Sequence, residues 1–143
     1  MTHKHRSLLI RITIALLIGA LYGCGAYQEK VLVSNEASAI KGLKVIFYAE
    51  QIKHNEIKKY VPLDELFSEA DAFLSPGKSN PDYRFEVRVK GDGKSFEAVA
   101  NPAEYKKTGR RSFYMNEQGV IHGADKAGGE GTPTDPEIER ADR

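Results

Sequence analysis

The stretch from Gln28 to Tyr60 constrains this chain more than any other, because nothing in it stops a helix. No proline occurs there before Pro62, which disfavours a helical Val61 and closes the element. At 3.6 residues per turn, Leu32, Ala39, Ile40, Leu43, Ile46, Phe47, Ile57 and Val61 fall on one broad apolar stripe. Lys41, Tyr48, Asn55 and Lys59 fall on the opposite side. Gly42 costs such a helix roughly 1 kcal/mol relative to alanine, too little to break so long a pattern. At about 1.5 Å per residue the helix approaches about 50 Å. That exceeds what a small domain needs for its own core, so its upstream end continues toward the apolar segment that precedes it.

That segment reads as an export signal. His3-Lys4-His5-Arg6 is a basic start, Leu8 to Leu21 is an apolar run interrupted by Arg11, and Leu21-Tyr22-Gly23-Cys24 is a processing site. The arrangement resembles a bacterial lipoprotein signal. In that pattern the leucine and glycine ahead of the cysteine, here Leu21 and Gly23, guide processing, and Cys24 becomes the lipidated first residue. Cys24 is the only cysteine, so no disulfide forms within one molecule, and a lone exposed thiol is a liability outside the cytoplasm. Lipidation accounts for its position and its solitude. The competing reading is an uncleaved membrane helix. Ile12 to Tyr27 is shorter than the roughly 20 residues a span prefers, although a snorkelling Arg11 extends it. Either way the chain is held at a membrane with its domain outside the cytoplasm.

With residues 1–23 set aside, which hold Lys4, Arg6 and Arg11, the other 120 residues carry 18 basic and 20 acidic side chains. No segment has the dense basic stripe that nucleic acid requires. Hydrophobic content of 41%, with seven tyrosines and six phenylalanines, supports one modest folded domain.

Beyond the helix, Leu63 to Phe67 and Ala70 to Leu74 look like short amphipathic turns, and Ser75 to Pro81 is a loop by composition. Tyr83, Phe85, Val87 and Val89 alternate with charged residues as in a half-buried strand. Gly91-Asp92-Gly93-Lys94 turns this strand into a second, Ser95 to Asn101, stopped by Pro102. A basic loop, Lys106 to Arg111, leads to Ser112-Phe113-Tyr114-Met115, and Asn116 to Gly119 turns that into Val120-Ile121-His122. The segment 123–143 holds one large aliphatic residue, Ile138, amid glycine, proline and charge. It is expected to be disordered. The predicted fold class is α+β: a long helix packed on about four short antiparallel strands, the helix stripe being the only large cover available. The expected organisation is a signal over 1–23, a domain over 24–122 and a tail over 123–143.

In order and spacing, the helical run Asn35–Ile46 (NEASAIKGLKVI), the strand Tyr83–Val87 (YRFEV), the strand ending Ala100-Asn101-Pro102 and the closing Gly109–Ile121 (GRRSFYMNEQGVI) resemble type IV pilin-like proteins, most nearly the type II secretion pseudopilins. The resemblance spans Gln28 to His122. It implies a helix laid across a small antiparallel sheet and a role in a membrane-linked filament or secretion machine. The start of the chain departs from the family pattern. Residues 1–28 contain no aspartate or glutamate. The family's leader junction and the glutamate that neutralises a neighbouring subunit's N-terminus in the filament are therefore both missing. The Cys24 signal stands in their place, which points to a pilin-like domain redeployed on a lipid anchor.

Candidate chemistry is sparse. Glu50 and His54, four apart on the helix and turned toward its stripe, could orient a base or make half a metal site. The simpler expectation is a partly buried histidine satisfied by its neighbour. Asp64, Glu65, Glu69 and Asp71 read as solvated surface, and Gly91 to Lys94 lacks the following helix of a phosphate loop. Asp125 and Asp135 lack the dense oxygen set that calcium needs, although some pseudopilins bind calcium near the C-terminus. Ser112-Phe113-Tyr114 reads as sheet core. Lys106, Lys107, Arg110 and Arg111 form a candidate surface for an acidic protein partner or anionic headgroups. No nucleophile–base arrangement, metal site, cofactor or small-molecule substrate is expected.

The sequence therefore predicts a non-catalytic membrane-anchored lipoprotein with a structural or protein-interaction role, its domain facing the periplasm. Gly25, rather than aspartate, follows the cysteine, which favours the outer membrane by resemblance. The alternative is a minor pilin or pseudopilin subunit inserted through residues 7–27. An enzyme acting through Glu50 or His54 is the third class.

Overall fold

A computed structural model describes the backbone of residues 3–67 and 74–142, with side chains from Gly25 onward. The signal residues Leu21, Gly23 and Cys24, together with Glu69 and Asp71, lie outside the residues whose side chains are described. The chain divides into two compact units, Met1–Val31 and Leu32–Arg143. The second holds the sheet and the part of helix α1 (His3–Ile57) that packs on it. Two short helices follow, α2 (Leu63–Leu66) and α3 (Pro76–Ser79), so the loop expected at Ser75 to Pro81 contains one helical turn opened by a proline.

Five strands then pair in chain order as an antiparallel meander: β1 (Tyr83–Lys90), β2 (Ser95–Pro102), β3 (Arg111–Asn116), β4 (Val120–Asp125) and β5 (Glu137–Arg140). The fold is α+β, with five strands in place of the expected four. Register puts Val87 opposite Ala98, Ala98 opposite Met115, and Met115 opposite Ile121. Tyr83, Val87, Phe96, Ala98, Ala100, Phe113, Met115 and Ile121 therefore share the face that forms one core with Ala39, Leu43, Ile46 and Phe47 of α1. The alanines at the centre of β2 are small, which lets a helix come close to the sheet.

On α1 the buried positions Leu32, Glu36, Ala39, Leu43, Ile46 and Glu50 recur at alternating intervals of four and three, a single seam along the helix. Lys41, Tyr48 and Asn55 are exposed on the other side, as the pattern predicts. Ile57 is not on the buried stripe: it is 52% exposed, at the last helical residue. The helix stops there, earlier than Tyr60, because Lys58 takes a left-handed conformation (φ 60°). Its N–H still bonds the His54 carbonyl at 2.9 Å, which caps the last turn. Val61 is buried, but from beyond the helix.

Gly42 has a reason to be glycine. A Cβ built there falls 2.6 Å from the Phe85 ring and 3.1 Å from Pro76, so the aromatic of β1 presses into a notch in the helix.

The segment after β4 is not disordered. It crosses the sheet's outer face as a strap held by polar contacts. Arg88 of β1 forks onto Glu130, Asn101 of β2 accepts the Gly131 N–H at 3.2 Å, and Ser112 of β3 donates to the Gly129 carbonyl at 2.6 Å. Gly131 lies against the β3 backbone, where a Cβ would sit 2.5 Å from the Phe113 carbonyl carbon. Lys126 and Asp135 pair at 2.8 Å, and the chain then pairs as β5, with Ile138 and Ala141 packed against the core. Few aliphatics suffice because a glycine-rich backbone can lie flat and satisfy its polar groups on the sheet.

Two consequences can be measured by chemical denaturation. Gly42→Ala should lose about 1–2 kcal/mol despite alanine's better helix propensity, because overpacking against Phe85 outweighs the propensity gain; unchanged or raised stability contradicts the notch. Removing residues 126–143 should cost about 4 kcal/mol or more by uncovering buried Val99 and Tyr114 and losing Ile138 and Ala141, whereas a disordered tail could be removed without effect.

Candidate functional site

The basic loop between β2 and β3 is a built structure. Lys106 takes a left-handed conformation (φ 64°), its N–H bonds the Gly109 carbonyl at 2.8 Å, and Thr108 exchanges hydrogen bonds with Glu104 at both ends of the turn. Two α1 side chains hold the loop from below. Asn35 donates to the Thr108 carbonyl at 3.0 Å. Glu36, 7% exposed, accepts the Arg110 N–H at 3.0 Å, the Arg111 N–H at 3.2 Å and the Arg111 guanidinium at 2.8 Å.

The four basic residues therefore separate. Arg111 is held by Glu36 and its guanidinium lies 5.3 Å from the Phe113 ring centre, although the side chain stays 41% exposed. Lys107 pairs with Glu104 at 2.5 Å, and that ammonium holds the Glu104 carboxyl below the usual carboxylate range. Lys106 stands over the Tyr105 ring at 5.3 Å. Lys106, Lys107 and Arg110 are exposed and form the outward tip.

Glu36 is the residue that sequence reasoning missed. The signal was present: Glu36 stands at a seam position, four after Leu32 and three before Ala39, where a carboxylate must find partners or remain outside. Its partners lie more than 70 residues away, as Arg110 and Arg111, and one chain read alone does not reveal them.

The Glu50–His54 pair is also rearranged. Glu50, 0% exposed, accepts the Val61 N–H at 3.2 Å through Oε2, while Oε1 has no partner among the described residues. Burial pushes its carboxyl from 4.5 up to about 7, opposed by the Val61 hydrogen bond. His54 stacks on Tyr60, ring centres 4.5 Å apart, and Tyr60 packs in turn on Phe96 at 4.9 Å. The expected satisfaction of His54 by Glu50 is replaced by ring stacking on a residue beyond the helix.

The other candidates are structural. Gly91 to Gly93 adopt left-handed conformations in the hairpin turn. Phe113 and Tyr114 are buried sheet residues. Asp125 accepts the Ala127 N–H and the Tyr105 hydroxyl, and Asp135 accepts the Lys126 ammonium and the Thr132 N–H. Those donors hold both carboxyls below their ordinary range. His122 hydrogen-bonds the Asp135 carbonyl at 2.7 Å, far from any role with His54. Among the described residues no three His, Cys, Asp or Glu side chains are grouped to hold a metal, and no helix is long and apolar enough to cross a membrane. The chain matches no family model, no curated protein and no solved structure.

Two glutamates on one seam give opposite predictions. Glu36→Ala should cost about 3 kcal/mol, since it strands two backbone N–H groups and a guanidinium, while Lys107→Ala should leave the denaturation midpoint unchanged. Glu50 holds its proton in the folded chain up to about pH 7, whereas the unfolded chain releases it near 4.5. The folded state thus binds the extra proton, and stability should fall as pH rises across that window, by about 3 kcal/mol at most. Glu50→Gln should flatten this slope in denaturant titrations; an identical slope in the variant contradicts the assignment.

Proposed function

We propose that this chain is a non-catalytic lipoprotein of the bacterial cell envelope, with a pilin-like domain that serves a structural or protein-binding role. The observation that carries the reading is the single cysteine, Cys24, placed after Leu21 and Gly23 at the end of a basic-then-apolar leader and directly ahead of the domain. Two or more acyl chains at Cys24 hold the protein stably on a bilayer. The domain then faces the periplasm, and Gly25 after the cysteine favours the outer membrane. The tip formed by Lys106, Lys107 and Arg110, mounted rigidly on α1 through Glu36 and Asn35, supports docking of an acidic protein surface. Arg111 contributes less charge to that surface because Glu36 pairs with its guanidinium.

A second reading, a minor pilin or pseudopilin subunit inserted by an uncleaved N-terminal helix, is favoured by Arg11 within the apolar run and by the bulk of Tyr22 beside the processing site.

The intact mass of the membrane-extracted protein separates the two. The lipoprotein reading gives a chain beginning at Cys24 and carrying acyl groups, accumulates precursor under globomycin, and loses both processing and acyl label with Cys24→Ser. An unmodified 15.9 kDa chain that is indifferent to that substitution establishes the second reading instead.

A further inference from the structure

Among the contacts joining the end of α1 to the turn that follows it is one buried hydrogen bond whose acceptor is a carboxyl with no ion-pair partner among the described residues. We propose that Glu50 is a protonation-controlled latch: as a neutral acid it keeps the Lys58–Pro62 turn closed over the end of the core, and its ionisation opens that turn.

The geometry supplies each part. Glu50 Oε2 accepts the Val61 N–H, Oε1 has no partner among the described residues, and the side chain is fully buried. A charge there has no water to solvate it, and the cheapest way to reach water is to move what covers it. The cover is the five-residue turn Lys58–Pro62, whose Val61 N–H is held to α1 by the Glu50 carboxyl. The left-handed Lys58 stands at its start and Pro62 at its end. The turn is also tied by the Lys58 N–H on the His54 carbonyl, by the Tyr60 N–H on the Gly93 carbonyl at 3.0 Å, by the Tyr60 ring between His54 and Phe96, and by the Pro62 carbonyl, which accepts the Glu65 and Leu66 N–H groups at 3.0 Å. A hollow of about 450 Å³, open to solvent and lined by Ile57, Tyr60, Val61, Pro62 and Gly93 among others, leaves the turn room to swing.

The charged and titratable neighbours do not compensate Glu50. On α1, His54 is stacked on Tyr60, and Lys53 lies 3.8 Å from Glu56. From the turn, Lys58 donates to the Asn55 carbonyl, and the stem of Lys59 lies along Gly93. Asp92 and Lys94 flank Gly93 in the β1–β2 turn, and from α2 the acids Asp64 and Glu65 stand beside Pro62, with Glu65 lining the hollow. None of these makes an ion pair or hydrogen bond with the Glu50 carboxyl among the described residues. The same burial that favours the neutral acid makes the latch respond near neutral pH. Opening uncovers the Tyr60–Phe96 contact and offers apolar surface at this end of the sheet only when the proton is lost.

Amide hydrogen exchange at Val61 tests this on the full-length chain in detergent. After correction for the intrinsic base-catalysed rate, the opening equilibrium at Val61 should rise roughly ten- to a hundred-fold from pH 5 to pH 8. Core amides such as Met115, which open only on global unfolding, should stay better protected than Val61 at every pH. Glu50→Gln should abolish the pH response, and His54→Gln should retain it. A corrected Val61 protection independent of pH, or a response unchanged in Glu50→Gln or lost in His54→Gln, overturns the proposal. Should Glu50→Gln fail to fold, the carboxyl ¹³C shift of Glu50 in the unaltered chain decides: titration near 7 in step with Val61 opening supports the latch, and titration near 4.5 overturns it.

Discussion

The domain depends on the burial of one helical seam against a sheet whose centre is kept small. Apolar burial provides most of the attraction, but it has no direction. A seam of leucine, isoleucine and alanine could slip by a turn against Ala98 and Ala100 at modest cost. What sets the position of α1 are the groups that tolerate only one partner. Glu36 reaches the start of β3 and fixes α1 on the sheet, while Glu50, two heptads or about 21 Å further along the seam, ties the turn at Val61 back to the helix end. Between them the notch at Gly42 receives the Phe85 ring. Buried carboxylates are weak sources of net stability, but they are strong selectors of register, because any slip strands them.

The outer face of the sheet is solved by different means. Among the described residues no second helix covers it, and the chain crosses it with a strap made of glycine, proline and charge. The strap is attached at Arg88, Asn101 and Ser112, one residue on each of three strands. Each attachment is individually modest, and together they bring the chain back to add β5 at the edge. The two faces therefore rely on opposite chemistries: desolvated aliphatics with a few buried acids beneath α1, and hydrogen bonds with ion pairs beneath the strap.

How much of this was legible follows from range. The 3.6-residue pattern of α1, the alternation in β1 and the glycine turns at Gly91 and Gly119 are local, and each corresponds to an element. The end of α1 was misplaced by three residues because a lysine, not a glycine, takes the left-handed cap. β5 was missed because Glu137–Arg140 holds a single aliphatic residue and owes its order to pairing with β4. The pairing of Arg111 with Glu36 has no local signature, since the two are 75 residues apart and Glu36 alone reads as ordinary helix polarity. Glu50 was singled out correctly as turned inward but given the wrong partner, because the folding-back of Val61 after Pro62 and Lys58 has no periodic signature.

The register of α1 on the sheet requires that the helix from Leu32 onward belongs to the core of the domain. Nuclear Overhauser contacts test that most directly. The account predicts cross-peaks between the Gly42 α-protons and the Phe85 ring, and between the Gly119 α-protons and the Phe47 ring, where the close approaches occur at the middle of the helix and at the β3–β4 turn. Cross-peaks confined to residues three and four apart along α1, with none to the sheet, would contradict it.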